Sequence, residues 1–121
     1  MSTTISGSNG IVFPDSTSMQ TGQQAVKAWV NFNGTGTVAI RAGYNVASIT
    51  DNGTGDYTVN FATAMADVNY SMCCSAGSAG TGNISGSVGT NVSTTFSIRI
   101  SVVQHNIGLV DREFVDIAIF R

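Results

Sequence analysis

The chain holds a single imidazole, His105 in the run QHNIG, so any catalytic dyad or triad would have to be built on it. A triad needs that base held against a nucleophile, and no Gly-x-Ser-x-Gly elbow occurs in the sequence. His105 therefore reads as a solvated loop side chain. The carboxylates are Asp15, Asp51, Asp56, Asp67, Asp111, Glu113 and Asp116. No two of them share a strand face at a spacing that would advertise a glycosidase pair. The run DNGTGD, from Asp51 to Asp56, is faintly like a calcium loop but lacks the later bidentate glutamate, and a hairpin turn is the simpler reading. Cys73 and Cys74 are adjacent, so on an extended strand they leave opposite faces and do not bridge each other. With no CxxC or second pair beside them, they are expected as two reduced thiols. Gly34-Thr35-Gly36 leads into a strand rather than a helix and so offers no phosphate cradle. No catalytic residue, metal or cofactor is assigned, and a non-enzymatic protein is expected.

The elements that would hold these residues are strands. About two fifths of the chain is Gly, Ser, Thr or Asn, which depletes the good helix formers and nearly excludes an all-helical fold. From Ala25 the apolar residues alternate, with Val26, Ala28, Val30 and Phe32 on one face and Lys27, Trp29, Asn31 and Asn33 on the other. The same period puts four further rows on a core face: Val38, Ile40, Ala42 and Tyr44; Tyr57, Val59 and Phe61; Val68, Tyr70, Met72 and Cys74; and Phe96, Ile98, Ile100 and Val102. Phe114 to Phe120 closes the chain as a strand apolar on both faces. Asn33-Gly34 and Asn52-Gly53 are expected to supply the positive φ of tight hairpin turns. The tetrapeptide NGTG that begins at each is read as convergence on good turn chemistry. The Gly/Ser-rich stretch from Ala76 to Thr90 reads as an exposed loop or weak edge strand, and Gln104 to Asp111 as a second loop. Ser16 to Ala25 is ambiguous, with a helical turn as one reading.

Six or more short strands between turn signals favour an all-β fold, an antiparallel β-sandwich of jelly-roll-like type. The length bounds the chain to one domain, with 25–121 as the sandwich and 1–24 as an extended segment with a short strand. Five scattered basic residues and a pI near 4.9 offer no positive stripe, so nucleic acid is excluded as a partner. No apolar run approaches the roughly 20 residues of a spanning helix, so no membrane insertion is expected. The start MSTTISGSNG lacks a signal-peptide signature, so synthesis and folding in a cytosol are expected unless export takes another route.

Trp29 shares a face with Lys27, Asn31 and Asn33 and so points away from the core. That makes it an interface residue, unless the same chain covers it. Val103, Val115, Ile117 and Ile119 are second interface candidates, because a strand apolar on both faces is covered on both sides.

The run KAWVNFNGTGTVAIRAGYNVASITDNGTGDYTVNFATAMADVNYSM, Lys27 to Met72, resembles a domain that recurs in bacteriophage tail-fibre and related virion structural proteins. The preceding GIVFPDSTSMQTG and the closing DREFVDIAIFR are similar to segments flanking that domain. The resemblance implies a virion protein, a homotrimer, and partners among other virion proteins and a bacterial surface glycan or protein. It brings no catalytic motif. The loops carrying Asn33, Asn52, Asp56, Asn83 and His105 are then the expected receptor contacts. In a trimer, His105 could also present three nitrogens around an axis. Three alternatives stay open: a capsid decoration or head-fibre protein, a small lectin-like module stacking sugar on Trp29 or a tyrosine, and a depolymerase using Asp56 and Asp111. The domain usually lies within a longer fibre chain, so this chain is either a small separate virion protein or an excised piece.

Overall fold

A computed structural model describes residues 4–7, 10–15, 18–19, 26–79 and 86–121. In chain order the strands are β1 (Thr4–Ser6), β2 (Gly10–Val12), β3 (Ser18–Met19), β4 (Val26–Asn33), β5 (Ala39–Tyr44), β6 (Val46–Gly53), β7 (Asp56–Phe61), β8 (Ser71–Gly77), β9 (Gly86–Ser93), β10 (Ser97–Gln104), β11 (Gly108–Leu109) and β12 (Phe114–Phe120). No helix occurs among the described residues, and none is long and apolar enough to cross a membrane. Strands β1 to β3 form an antiparallel sheet of their own, so the first segment carries three short strands where one was expected. Within the ambiguous stretch, Ser18–Met19 is strand, and the rest of that stretch lies outside the described residues.

The remaining strands make two antiparallel sheets in a β-sandwich-like arrangement. One runs β5-β4-β12-β8; in the other β10 lies between β9 and β7, β6 follows β7, and β11 pairs with the end of β10. Alternation decides what lies between the sheets. Ala28, Val30 and Phe32 from β4 and Val115, Ile117 and Ile119 from β12 meet Tyr57, Val59 and Phe61 from β7 and Ile98, Ile100 and Val102 from β10. Phe32 and Tyr57 cross edge to face with ring centroids 5.2 Å apart, bridging the layers.

Val115, Ile117 and Ile119 therefore face the chain's own core, and their expected place in a subunit interface is corrected. The apolar residues on the other face of β12 are Phe114, Ala118 and Phe120, so the strand is apolar on both sides for two different reasons. Val103 is half-buried on the outer face of the five-stranded sheet, pairing with Leu109. That is the opposite side of the sandwich from Trp29, so one planar contact cannot use both.

Other core rows shorten at their ends. Ile40 and Tyr44 are exposed rather than buried, because β5 is an edge strand and a register shift at Asn31/Phe32 puts Tyr44 directly beside Trp29 on the outer face. Val68 precedes β8, and Phe96 sits in the turn before β10, so both are solvent-exposed. The stretch read as a loop or edge strand contains the end of β8 and an edge strand, β9, paired along β10.

The two NGTG copies adopt different geometries. After Asn33 five residues lead to β5, and Gly34 is not at positive φ; it is buried where a Cβ would lie 2.6 Å from the Tyr57 hydroxyl. The expected tight hairpin at Asn33-Gly34 is thus replaced by a longer connection. The second copy makes a two-residue hairpin, but at Thr54-Gly55, with Gly53 paired to Asp56.

Candidate functional site

Three places on the sandwich gather polar or aromatic side chains. The first is one end of the molecule, where the connections β4–β5, β6–β7, β8–β9 and β10–β11 all emerge. The segment Asp111 to Glu113, just before β12, ties them together. Gly34 N donates to Arg112 O at 2.9 Å, Gly55 N to Asp111 Oδ1 at 2.8 Å, and Ala79 N to Glu113 Oε2 at 3.2 Å, while Arg112 Nη2 donates to the Gln104 side chain. The Tyr57 hydroxyl lies 2.6 Å from Asp111 Oδ1 and 2.8 Å from Gly34 O. It has one proton, and the nearer carboxylate oxygen is the stronger acceptor.

Burial, and then the bond to Asp111, push the Tyr57 phenol well above its usual value near 10.0. The neutral form is the one the fold holds, so this contribution is complete below pH about 10 and is lost as pH rises toward the raised folded value. Tyr57→Phe is expected to lower unfolding free energy by about 1–3 kcal/mol at neutral pH and to flatten the loss of stability above pH about 10. Urea melts of both proteins across pH 7–11, as an approximate range, check this.

The sequence-predicted contact residues fall at this end with different freedoms. Asn33 is half-buried and its Oδ1 accepts from Thr35 N at 3.0 Å and Thr35 Oγ1 at 2.7 Å, so it shapes the turn. Asn52 is exposed and donates to Thr58 Oγ1 at 2.8 Å. Asp56 is held by a two-point ion pair, Arg99 Nε and Nη2 at 2.9 and 2.6 Å, and these bonds keep its carboxyl below the ordinary range. His105 is exposed in the turn between β10 and β11, beside the exposed Ile107. Asn83 lies outside the described residues.

The second place is the outer face of the four-stranded sheet. Cross-strand pairing sets Tyr44, Trp29, Ala118 and Cys73 in one row and Ala42, Asn31, Asp116 and Ser75 in the next. Asn31 Nδ2 donates to Asp116, and Ser75 Oγ lies 3.4 Å from Asp116 Oδ2. Small Ala118 and Cys73 beside the large indole leave a shallow groove of about 450 Å³. Trp29 is 40% exposed, so the described residues do not cover it. Cys73 opens onto this groove, whereas Cys74 leaves the opposite face of the edge strand β8 with its Sγ 3.5 Å from Val88 O; both are exposed free thiols.

The third place is the opposite end, at the corner where the chain leaves β5 for β6. Asn45 turns there at φ 55°, a left-handed conformation that Asn tolerates. Its amide bridges two backbones: Nδ2 donates to Lys27 O at 3.0 Å and Thr63 O at 3.1 Å, and Oδ1 accepts from Thr63 N at 2.6 Å. A cavity of about 440 Å³ opens above it, with Lys27, Tyr44 and Arg121 on its walls. Arg121 pairs with Asp67 through Nε and Nη2 at 2.9 and 2.7 Å.

Comparison of the chain with protein-family models, curated proteins and solved structures finds no match. No group of three or more metal-ligating side chains occurs among the described residues.

Sequence reasoning singled out Trp29 but missed Tyr44 as its neighbour, because period two placed Tyr44 on the core face. It also missed the corner cavity, whose Lys27 and Arg121 are 94 positions apart in the chain. The only local signal there was Asn45 between two strand patterns.

Proposed function

We propose that this chain is a non-enzymatic structural module of a bacteriophage virion, of tail-fibre or receptor-binding type, that assembles as a homotrimer and presents the loops of one end to the host surface. The observation that supports it is the gathering of four connections at one end of the sandwich, anchored by Asp111, Arg112 and Glu113. Loops fixed on such a scaffold are where binding residues commonly sit. The resemblance of Lys27 to Met72 to tail-fibre domains supplies the virion context. Trp29, on its uncovered sheet face, is the anchor we assign to the subunit contact.

Two measurements test this reading. Light scattering coupled to size exclusion is expected to give three times 12.5 kDa, and a stable monomer would remove the trimer. Gold-labelled antibody on intact particles is expected at the tail. Label on the head would replace attachment by capsid decoration, and unlabelled particles would overturn the virion role.

A further inference from the structure

We infer that the corner cavity formed by Lys27, Tyr44, Asn45, Thr63, Met65 and Arg121 is a binding site for a sugar carrying a carboxylate, such as a uronic or sialic acid residue. This goes beyond the proposed function and does not depend on its attachment loops, because the cavity lies at the other end of the sandwich; Tyr44 is the cross-strand partner of Trp29, so the site requires a subunit contact that leaves the Tyr44 ring open.

Size is the first argument. The cavity measures about 440 Å³, within the roughly 300–1,000 Å³ typical of small-molecule sites. Its walls are the second. Tyr44 is 58% exposed, an aromatic ring offered to solvent at the rim, and Met65 with its flanking alanines, Ala64 and Ala66, makes an apolar floor. A pyranose has one apolar C–H face that fits such a ring and floor. The wall is also preformed. Asn45 has both polar atoms of its amide committed to backbone, and Met65 N donates to Thr95 O at 2.7 Å, so neither has to reorganise on binding.

Charge is the third argument. The Lys27 side chain makes no hydrogen bond or ion pair among the described residues, its carbonyl alone accepting from Asn45 Nδ2, which leaves its ammonium available. Arg121 gives Nε and Nη2 to Asp67 and keeps Nη1 unengaged. The Thr63 hydroxyl is likewise without a side-chain partner and can meet a sugar hydroxyl. A ligand with an apolar face, hydroxyls and one carboxylate satisfies all of these groups together. A neutral sugar would leave Lys27 unanswered, and a simple anion would leave Tyr44 and the floor unused.

The test is saturation-transfer NMR on the intact protein with N-acetylneuraminic acid and glucuronic acid at millimolar concentration, against glucose and against inorganic phosphate as a competitor. The acid sugars are expected to receive saturation on their ring protons and glucose far less. Lys27→Gln and Tyr44→Ala are each expected to weaken the acid-sugar signal about tenfold at unchanged thermal midpoint. Asp67→Asn, which frees the Arg121 guanidinium, is expected to strengthen it severalfold, a gain that a misfolded variant could not mimic. Equal saturation of glucose, complete displacement by phosphate at equal concentration, or no signal from either acid sugar would each overturn the site. None of those outcomes touches the oligomeric mass or the particle labelling that test the virion role.

Discussion

Gly55→Ala is expected to lower the unfolding free energy by about 3–5 kcal/mol, a large part of the roughly 5–15 kcal/mol available to a domain. Gly55 sits at φ +64°, where an L side chain costs about 1–2 kcal/mol. Space is the larger difficulty. A Cβ there would stand 2.6 Å from Val110 N, 2.7 Å from Val102 O and 2.8 Å from Val110 O, all backbone atoms that no rotamer change can move. Relieving that overlap means shifting the hairpin tip, with an overpacking cost of about 1–3 kcal/mol. The shift also strains two hydrogen bonds, Val102 N to Gly55 O at 2.8 Å and Gly55 N to Asp111 Oδ1 at 2.8 Å. Gly36→Ala is the control, since Gly36 has φ +59° with nothing within 4 Å of its Cβ position, so only the conformational cost of about 1–2 kcal/mol remains. Urea denaturation of the two variants separates the contributions. Equal losses would show that the hairpin tip is not packed against β10 and the segment after β11.

Ile117→Ala is expected to cost about 2–5 kcal/mol, while Trp29→Ala costs the isolated chain about 1 kcal/mol or less. The contrast follows from which face of a sheet each residue occupies. Ile117 is 3% exposed between the sheets, so truncation leaves a cavity lined by residues that cannot collapse around it. Trp29 stands on the uncovered outer face, and in the proposed trimer its loss mainly removes contact area from a partner. Thermal melts are therefore expected to single out Ile117→Ala. A mass measurement is expected to single out Trp29→Ala, through dissociation of the assembly. If instead Ile117→Ala kept its melting temperature and fell apart into monomers, the inward placement of β12 would be wrong.

Much of the sandwich can be read from one-dimensional patterns, because side chains in a strand alternate whatever the strand pairs with. Ala28 to Phe32, Tyr57 to Phe61 and Ile98 to Val102 could each be placed on the core side without knowing any partner, whereas Val26 leaves that row where a register shift pairs it with Phe120. The outward position of Trp29 followed in the same way. Scarcity of charge and of helix formers, together with turn residues between the runs, was enough for an all-β class.

What alternation cannot supply is which strand lies at an edge and which residues are covered from above. Ile40 and Tyr44 lie in one row by period two, yet the register shift keeps Ile40 beside core Phe32, exposed only because β5 is an edge strand, and turns Tyr44 to the outer face beside Trp29. Val115, Ile117 and Ile119 were legible as apolar but not as inward, because β12 carries apolar residues on both faces. Only its register against β4, which sets these three beside Phe32, Val30 and Ala28 under the other sheet, decides that. The tetrapeptide NGTG shows the same limit locally. One copy closes a two-residue hairpin and the other opens a longer connection, because Tyr57 and Arg112 approach the first from distant parts of the chain. The sequence by itself determined the all-β class, the inner faces of β4, β7 and β10, and the absence of a local catalytic motif. Tertiary structure alone decided the edges, the gathering of loops on Asp111 to Glu113, and the meeting of Lys27, Tyr44 and Arg121 at one corner, since each depends on contacts between segments that no local spacing encodes.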